Sequence, residues 1–196
     1  MENFQSMDAA RNYSAGLHPW YLKAETAEEN YRMLESVAKE NHVLAIGECG
    51  LDKVCETDFH LQLIYFAKQV QLANQVNKPL IIHCVRAYDE VLKTLKDEAV
   101  KVPVIFHGFN KSVDLARQLV NDGFYLSFGK HLLNENTMTT FKSVPENRYF
   151  LETDDAIVKI EDVYKAAADA RSKSIESIIE QVSNNAISVF GKNIIE

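Results

Sequence analysis

A parallel α/β fold is predicted for this 196-residue chain, because strand-like apolar runs and amphipathic, helix-length stretches alternate six times along it. The helical stretches are long enough to serve as crossovers between parallel strands. The strand-like runs also end repeatedly in His, Glu or Asp, as expected where strand ends of one polarity build a common site. Pattern alone leaves a barrel-like and a doubly wound arrangement equally open. The clearest run is Lys-Pro-Leu-Ile-Ile-His-Cys-Val-Arg, Lys78 to Arg86. It is short, apolar and opened by Pro79. Alternation puts Ile81 and His83 on one face, with Ile82 and Cys84 on the other.

In chain order, residues 1–11 carry only a weak strand signal near Phe4, and Tyr13–His18 reads as a strand ending in His18-Pro19-Trp20. Thr26 and Glu29 have capping-box spacing ahead of a helix whose stripe is Tyr31, Leu34, Val37 and Ala38. Val43–Glu48 is the next strand. A long helix over about residues 57–76 presents Phe59, Leu63, Phe66, Val70 and Ala73. After the Lys78–Arg86 strand, a helix over about 88–98 leads to the strand Val102–His107. Ser112 suits the N-cap of the following helix, with Leu115, Ala116, Leu119 and Val120 inward and Gly123 as its stop. Phe124–Phe128 is strand-like, a helix covers about 133–141, and Arg148–Leu151 leads into Glu152-Thr153-Asp154. Two helices finish the chain. The second is capped by Ser174 and buries Ile175, Ile178, Ile179, Val182 and Val189.

Composition narrows the class. With 46% hydrophobic and 25% charged residues, the chain suits one globular domain over 1–196. No run approaches the roughly 18 apolar residues of a membrane span, and no basic-then-apolar leader is visible. Three scattered cysteines make neither a disulfide framework nor a CxxC knuckle, so a reducing cytoplasm is expected. A net charge of −7 argues against broad coating of nucleic acid, but allows a small site where cations attract phosphate.

The strand ends supply His18, Glu48, His83, His107 and Asp154. Imidazoles and carboxylates delivered to one face can converge on a divalent metal ion, Zn²⁺ or Mn²⁺ in preference to Mg²⁺. Such an ion generates a nucleophile from water near neutral pH. By parity Cys49 and Cys84 face the helices, which argues against a cysteine nucleophile. Lys23, Lys53, Arg86, Lys111, Lys130 and Lys159 lie in the adjoining loops and suit a phosphate-bearing substrate. Among them Arg86 can clamp a phosphate bidentately.

These residues resemble the TatD family of metal-dependent hydrolases. The matching stretches are Gly16-Leu17-His18-Pro19-Trp20, Ala45 to Asp52, Pro79 to Ala87, Phe106-His107-Gly108-Phe109, Tyr125 to Gly129 and Phe150 to Asp154. Gln62, Phe66, Gln69 and Ala73 in a helix, and the segment from Asn185 to Phe190, fit as well. The resemblance implies a TIM-type (β/α) barrel holding divalent Zn, Mn or Mg, and hydrolysis of phosphodiester bonds in DNA. It makes Glu48, His83, His107 and Asp154 the metal ligands, Glu48 and Asp154 the catalytic carboxylates, and His18 and Arg86 substrate contacts.

Two features depart from the pattern. The family's opening strand ends in His-x-His, and this chain contains no such pair. A barrel incomplete at its N-terminus is therefore expected, with one metal on Glu48, His83 and His107 and weak nuclease activity. His83 and Arg86 are also separated by two residues where one is commoner. The competing readings are a metal-dependent hydrolase of a small ester, amide or lactone, and an inactive or truncated family member.

Overall fold

The computed structural model describes residues 11–194, so the weak strand signal near Phe4 lies outside the described residues. The chain forms two compact units, Met1–Val104 and Ile105–Glu196.

In the first unit β1 (Tyr13–Ala15), β2 (Val43–Asp52) and β3 (Leu80–Val85) pair in parallel and in chain order. Parallel neighbours require crossovers, supplied by α1 (Ala27–Val37) and α2 (Phe59–Val76); α3 (Tyr88–Asp97) follows β3. β2 is buried along nearly its whole length, as a strand covered on both faces must be. Two of its residues, Gly47 and Glu48, lie opposite the single residue Ile81 of β3, because the register steps from Ile46–Leu80 to Cys49–Ile82. This is a β-bulge, a device that re-aims a side chain. Beyond it Gly50 passes so close to β3 that a Cβ would sit 2.0 Å from the carbonyl oxygen of His83. Its φ of +137° is a second reason for glycine.

The expected capping box at Thr26 does not form. Thr26 has φ −120° and ψ −7°, outside the extended cap geometry, and its hydroxyl instead accepts from Asn30. α2 starts from Asp58, whose carboxylate accepts from the amide of Leu61. Its buried face carries Phe66, Val70 and Ala73 as expected, and also Gln62 and Gln69.

In the second unit the end of β4 (Val104–Phe106), β5 (Tyr125–Phe128) and β6 (Tyr149–Leu151) are again parallel and in chain order. α4 (Val113–Asn121) and α5 (Glu135–Ser143) are the crossovers, and α6 (Ile160–Arg171) and α7 (Ile175–Phe190) complete the unit. Ser112 and Ser174 cap α4 and α7 through bonds from Leu115 and Ser177, as expected. The core is an aromatic chain in which Phe109, Phe128, Phe141 and Tyr149 meet edge to face at 4.7–5.8 Å. α7 buries Ile178, Asn185 and Val189, whereas Ile179, expected inward, is 48% exposed. The buried stripe runs 178–185–189, which leaves Ile179 beside Ile160 and Tyr164 in an apolar groove between α6 and α7. Among the described residues no helix is long and apolar enough to cross a membrane.

Candidate metal centre

Three side chains of the first unit come together at the strand ends. Donor atoms of His18, Glu48 and His83 all lie within 4.8 Å of one another. His18 Nε2 is 3.7 Å from Glu48 Oε2, and the His18 and His83 rings are 4.5 Å apart. The bulge in β2 delivers Glu48, and β3 delivers His83. His18 caps a 3₁₀ turn, Pro19–Tyr21, with its Nδ1 accepting from the amide of Trp20. A set of two imidazoles and one carboxylate fits a divalent transition metal. Glu48 is about one-third exposed while the two histidines are nearly buried, so the cluster opens on its carboxylate side.

Beneath this cluster lies Asp52, which the sequence reading did not single out. It is 3% exposed, and its carboxylate accepts from Trp20 Nε1 at 2.6 Å and Val54 N at 2.7 Å while facing His83 Nε2 at 3.1 Å. Burial alone would raise the Asp52 carboxyl. The Trp20 indole, the Val54 amide and His83 outweigh it and hold the group below the ordinary carboxylate value. An ionised Asp52 is a pure acceptor, so His83 carries its proton on Nε2 and the ring lone pair lies on Nδ1. The one signal in the sequence was an acid two residues past Gly50. Only the bulge and the register make it meaningful.

α2 secures both sides of this cluster through its buried glutamines. Gln69 accepts from Leu17 N at 2.6 Å and donates to Leu17 O at 3.2 Å, fixing the residue before His18. Gln62 accepts from Asp52 N at 2.8 Å and donates to Asp52 O at 3.0 Å. Each side-chain amide thus satisfies backbone groups that lie where no strand pairs with them.

The second unit repeats the arrangement around His107. Glu152 Oε1 accepts from Gly108 N at 2.7 Å and lies 3.6 Å from His107 Nδ1, while Glu152 Oε2 accepts from the hydroxyl of Ser127. Burial pushes the Glu152 carboxyl up, but His107, Ser127 and the Gly108 amide prevail and hold it low. Glu152 lies inside the Phe150–Asp154 stretch, where the sequence pattern alone assigns it no role. Asp154, two residues on, is exposed with φ +52°, and Arg86 is exposed with φ +54°. Cys49 is fully buried with its thiol near Ile81 O, and burial, with Glu48 nearby, pushes the thiol strongly up. That agrees with a packing role. Of the loop cations, Lys53 is paired to Glu90 at 2.5 Å and Lys130 to Asp155 at 3.7 Å.

The model of the TatD related DNase family matches residues 3–191. The chain belongs to this family. A Bacillus subtilis protein described as the uncharacterized metal-dependent hydrolase YabD is 34% identical over 144 residues, 71% of this chain and 56% of its own length. The 3'-5' ssDNA/RNA exonuclease TatD of Pantoea ananatis is 25% identical over 201 residues, covering 91% of this chain and 77% of that protein. Against YabD and two Buchnera aphidicola metal-dependent hydrolases, the matched stretch spans 54–58% of the relative's length. The crystal structure of the TatD homolog YJJV from Escherichia coli K12 superposes with a TM-score of 0.83 at 24% identity, covering 96% of this chain and 78% of that one. The α/β fold with parallel strands, expected as a TIM-type barrel, is thus the fold of TatD proteins.

Proposed function

We propose that the chain works as one metal-dependent hydrolase domain, residues 1–196, that cleaves phosphodiester bonds of DNA in a reducing, cytoplasmic setting. The observation that carries this reading is the His18–Glu48–His83 cluster, whose donors already stand within 4.8 Å of one another on a partly open surface. The reading assigns Glu48, His83, His107 and Asp154 as ligands of a divalent ion, Zn, Mn or Mg. His18, whose Nδ1 accepts from Trp20 N so that Nε2 carries the proton toward Glu48, stands on the substrate side. The carboxylates behind His83 and His107 support the assignment, since metal-binding imidazoles are commonly held this way. When bound, such an ion supplies a Lewis acid and lowers the pKa of a coordinated water.

The chain's own groups do the remainder. Arg86 binds the non-bridging oxygens of the phosphodiester through its guanidinium. Asp154, an exposed carboxylate, takes the proton from the attacking water. Asp52 and Glu152 hold the two imidazoles in one tautomer, so that no reorganisation is needed during reaction. The names of the relatives, a nuclease and metal-dependent hydrolases, favour the phosphodiester over a small ester, amide or lactone.

The test is a substrate panel, single-stranded oligonucleotides against small esters and lactones, with chelator-stripped protein reloaded with Mn²⁺, Zn²⁺ or Mg²⁺. Metal-dependent cleavage of the oligonucleotides is expected, together with its loss in Glu48→Gln at unchanged circular dichroism. Turnover of small esters alone, or undiminished cleavage by Glu48→Gln, overturns the reading.

A further inference from the structure

Two large aromatics stand exposed beside the candidate metal centre, Trp20 at 51% and Tyr21 at 69%. Both flank His18, with ring centroids 5.0 and 5.6 Å from its imidazole, and Trp20 is also 5.5 Å from the His83 ring. Apolar side chains of this size on a surface call for an explanation when they border a site. Neither ring is a loose appendage. The Trp20 N–H is already committed to the buried Asp52 at 2.6 Å, and the backbone is held in the 3₁₀ turn by Tyr21 N bonding to His18 O. The indole's hydrogen-bonding edge is therefore turned inward, and what it offers to solvent is ring surface without a donor.

We propose that Trp20 and Tyr21 form a stacking subsite that seats an unpaired nucleobase next to the scissile phosphate. This rests on the nuclease reading above and adds the two side chains that would seat a base. An aromatic face held still by a buried carboxylate loses little conformational freedom on binding, and any base offers it a π-face. Because the donor edge is taken, the subsite reads no hydrogen-bond pattern and tolerates every base. A base inside a duplex is stacked on both sides and cannot enter.

Trp20 is the only tryptophan in the chain, so its emission reports on this subsite alone. The experiment is a titration of chelator-stripped protein in about 0.15 M salt, where a Debye length of roughly 8 Å mutes the acidic net charge. The probes are an oligothymidylate, an oligomer of equal length built from abasic tetrahydrofuran units, and a duplex. Saturable quenching by oligothymidylate is expected. The abasic oligomer, with the same phosphates, should bind about 5- to 150-fold more weakly, the value of one stacked base. Tyr21→Ala should weaken oligothymidylate binding while leaving Trp20 to report it, and Trp20→Phe, read by anisotropy of a labelled oligomer, should retain most of it. Equal binding of the abasic oligomer, or no quenching, overturns the subsite.

Cleavage assays with metal-loaded protein separate the two claims. Cleavage without quenching leaves the nuclease reading standing and removes the subsite. Quenching without cleavage does the reverse.

Discussion

At the scale of single residues, the proposed chemistry rests on carboxylates set behind the imidazoles. Asp52 is the clearest case, since its 3.1 Å contact sets which nitrogen of His83 carries the proton. Asp52→Asn keeps the size but can turn its amide N–H₂ toward that nitrogen, which removes the preference for one tautomer. We expect a roughly 10- to 100-fold loss of metal affinity by calorimetry, with the Nε2–H pattern of His83 lost from ¹⁵N spectra of the metal-free protein. An unchanged tautomer would show that Asp52 only packs. Arg86 gives a second prediction, because φ +54° disfavours any side chain there. Arg86→Gly relieves that strain, so stability by urea unfolding should hold or rise by up to about 1 kcal/mol while oligonucleotide cleavage falls. A loss of stability would mean that the guanidinium is a structural tie instead. The sequence displayed His83, His107 and Glu48 because they end apolar runs. It hid Asp52 and Glu152, whose meaning is a distance to a neighbouring strand. Local pattern carries no such information.

At the scale of elements, alternation of apolar runs made every described strand and α-helix legible, with ends displaced by a few residues. Strands shrank where the chain turns into the site, as at β1, which stops at Ala15 and leaves His18 on a turn. β2 grew to Asp52, because its pairing with β3 resumes at Cys49 beyond the bulge and runs on through Gly50, past the glycines that interrupt the apolar pattern. Helical periodicity also concealed the function of α2. Gln62 and Gln69 fall on its buried face two turns apart, where apolar residues are expected, and their amides serve the backbone at Asp52 and Leu17. Gln69→Leu matches the volume and removes both bonds, leaving a buried N–H and C=O of Leu17 without partners. The cost should be about 2–4 kcal/mol, read as a lower urea midpoint at unchanged slope. Gln69→Glu keeps an acceptor for Leu17 N and should recover part of it. A neutral Gln69→Leu would mean that water or a shifted β1 serves those groups equally well.

For the molecule as a whole, a cation bound at the proposed site would be thermodynamically linked to the fold. A net charge of −7 opposes a polyanionic substrate of the proposed kind, and a cation seated on Glu48 would offset part of that repulsion. An ion that binds the folded chain and not the unfolded one stabilises it by about 2.7 kcal/mol at a concentration 100 times its Kd. For a chain of this length that corresponds to a rise in Tm of roughly 5–10 °C. Scanning calorimetry with and without metal should show that rise, reversed by chelator. The ranking should place Zn²⁺ and Mn²⁺ above Mg²⁺ at equal concentration, because two of the four proposed ligands, His83 and His107, are imidazoles. Glu48→Gln removes the charged donor and should abolish most of the shift while leaving the metal-free Tm within a few degrees, since Glu48 is one-third exposed. A Tm indifferent to every divalent ion, or a Glu48→Gln variant that responds like the native chain, would mean that the cluster is held together by its own hydrogen bonds and needs no cation.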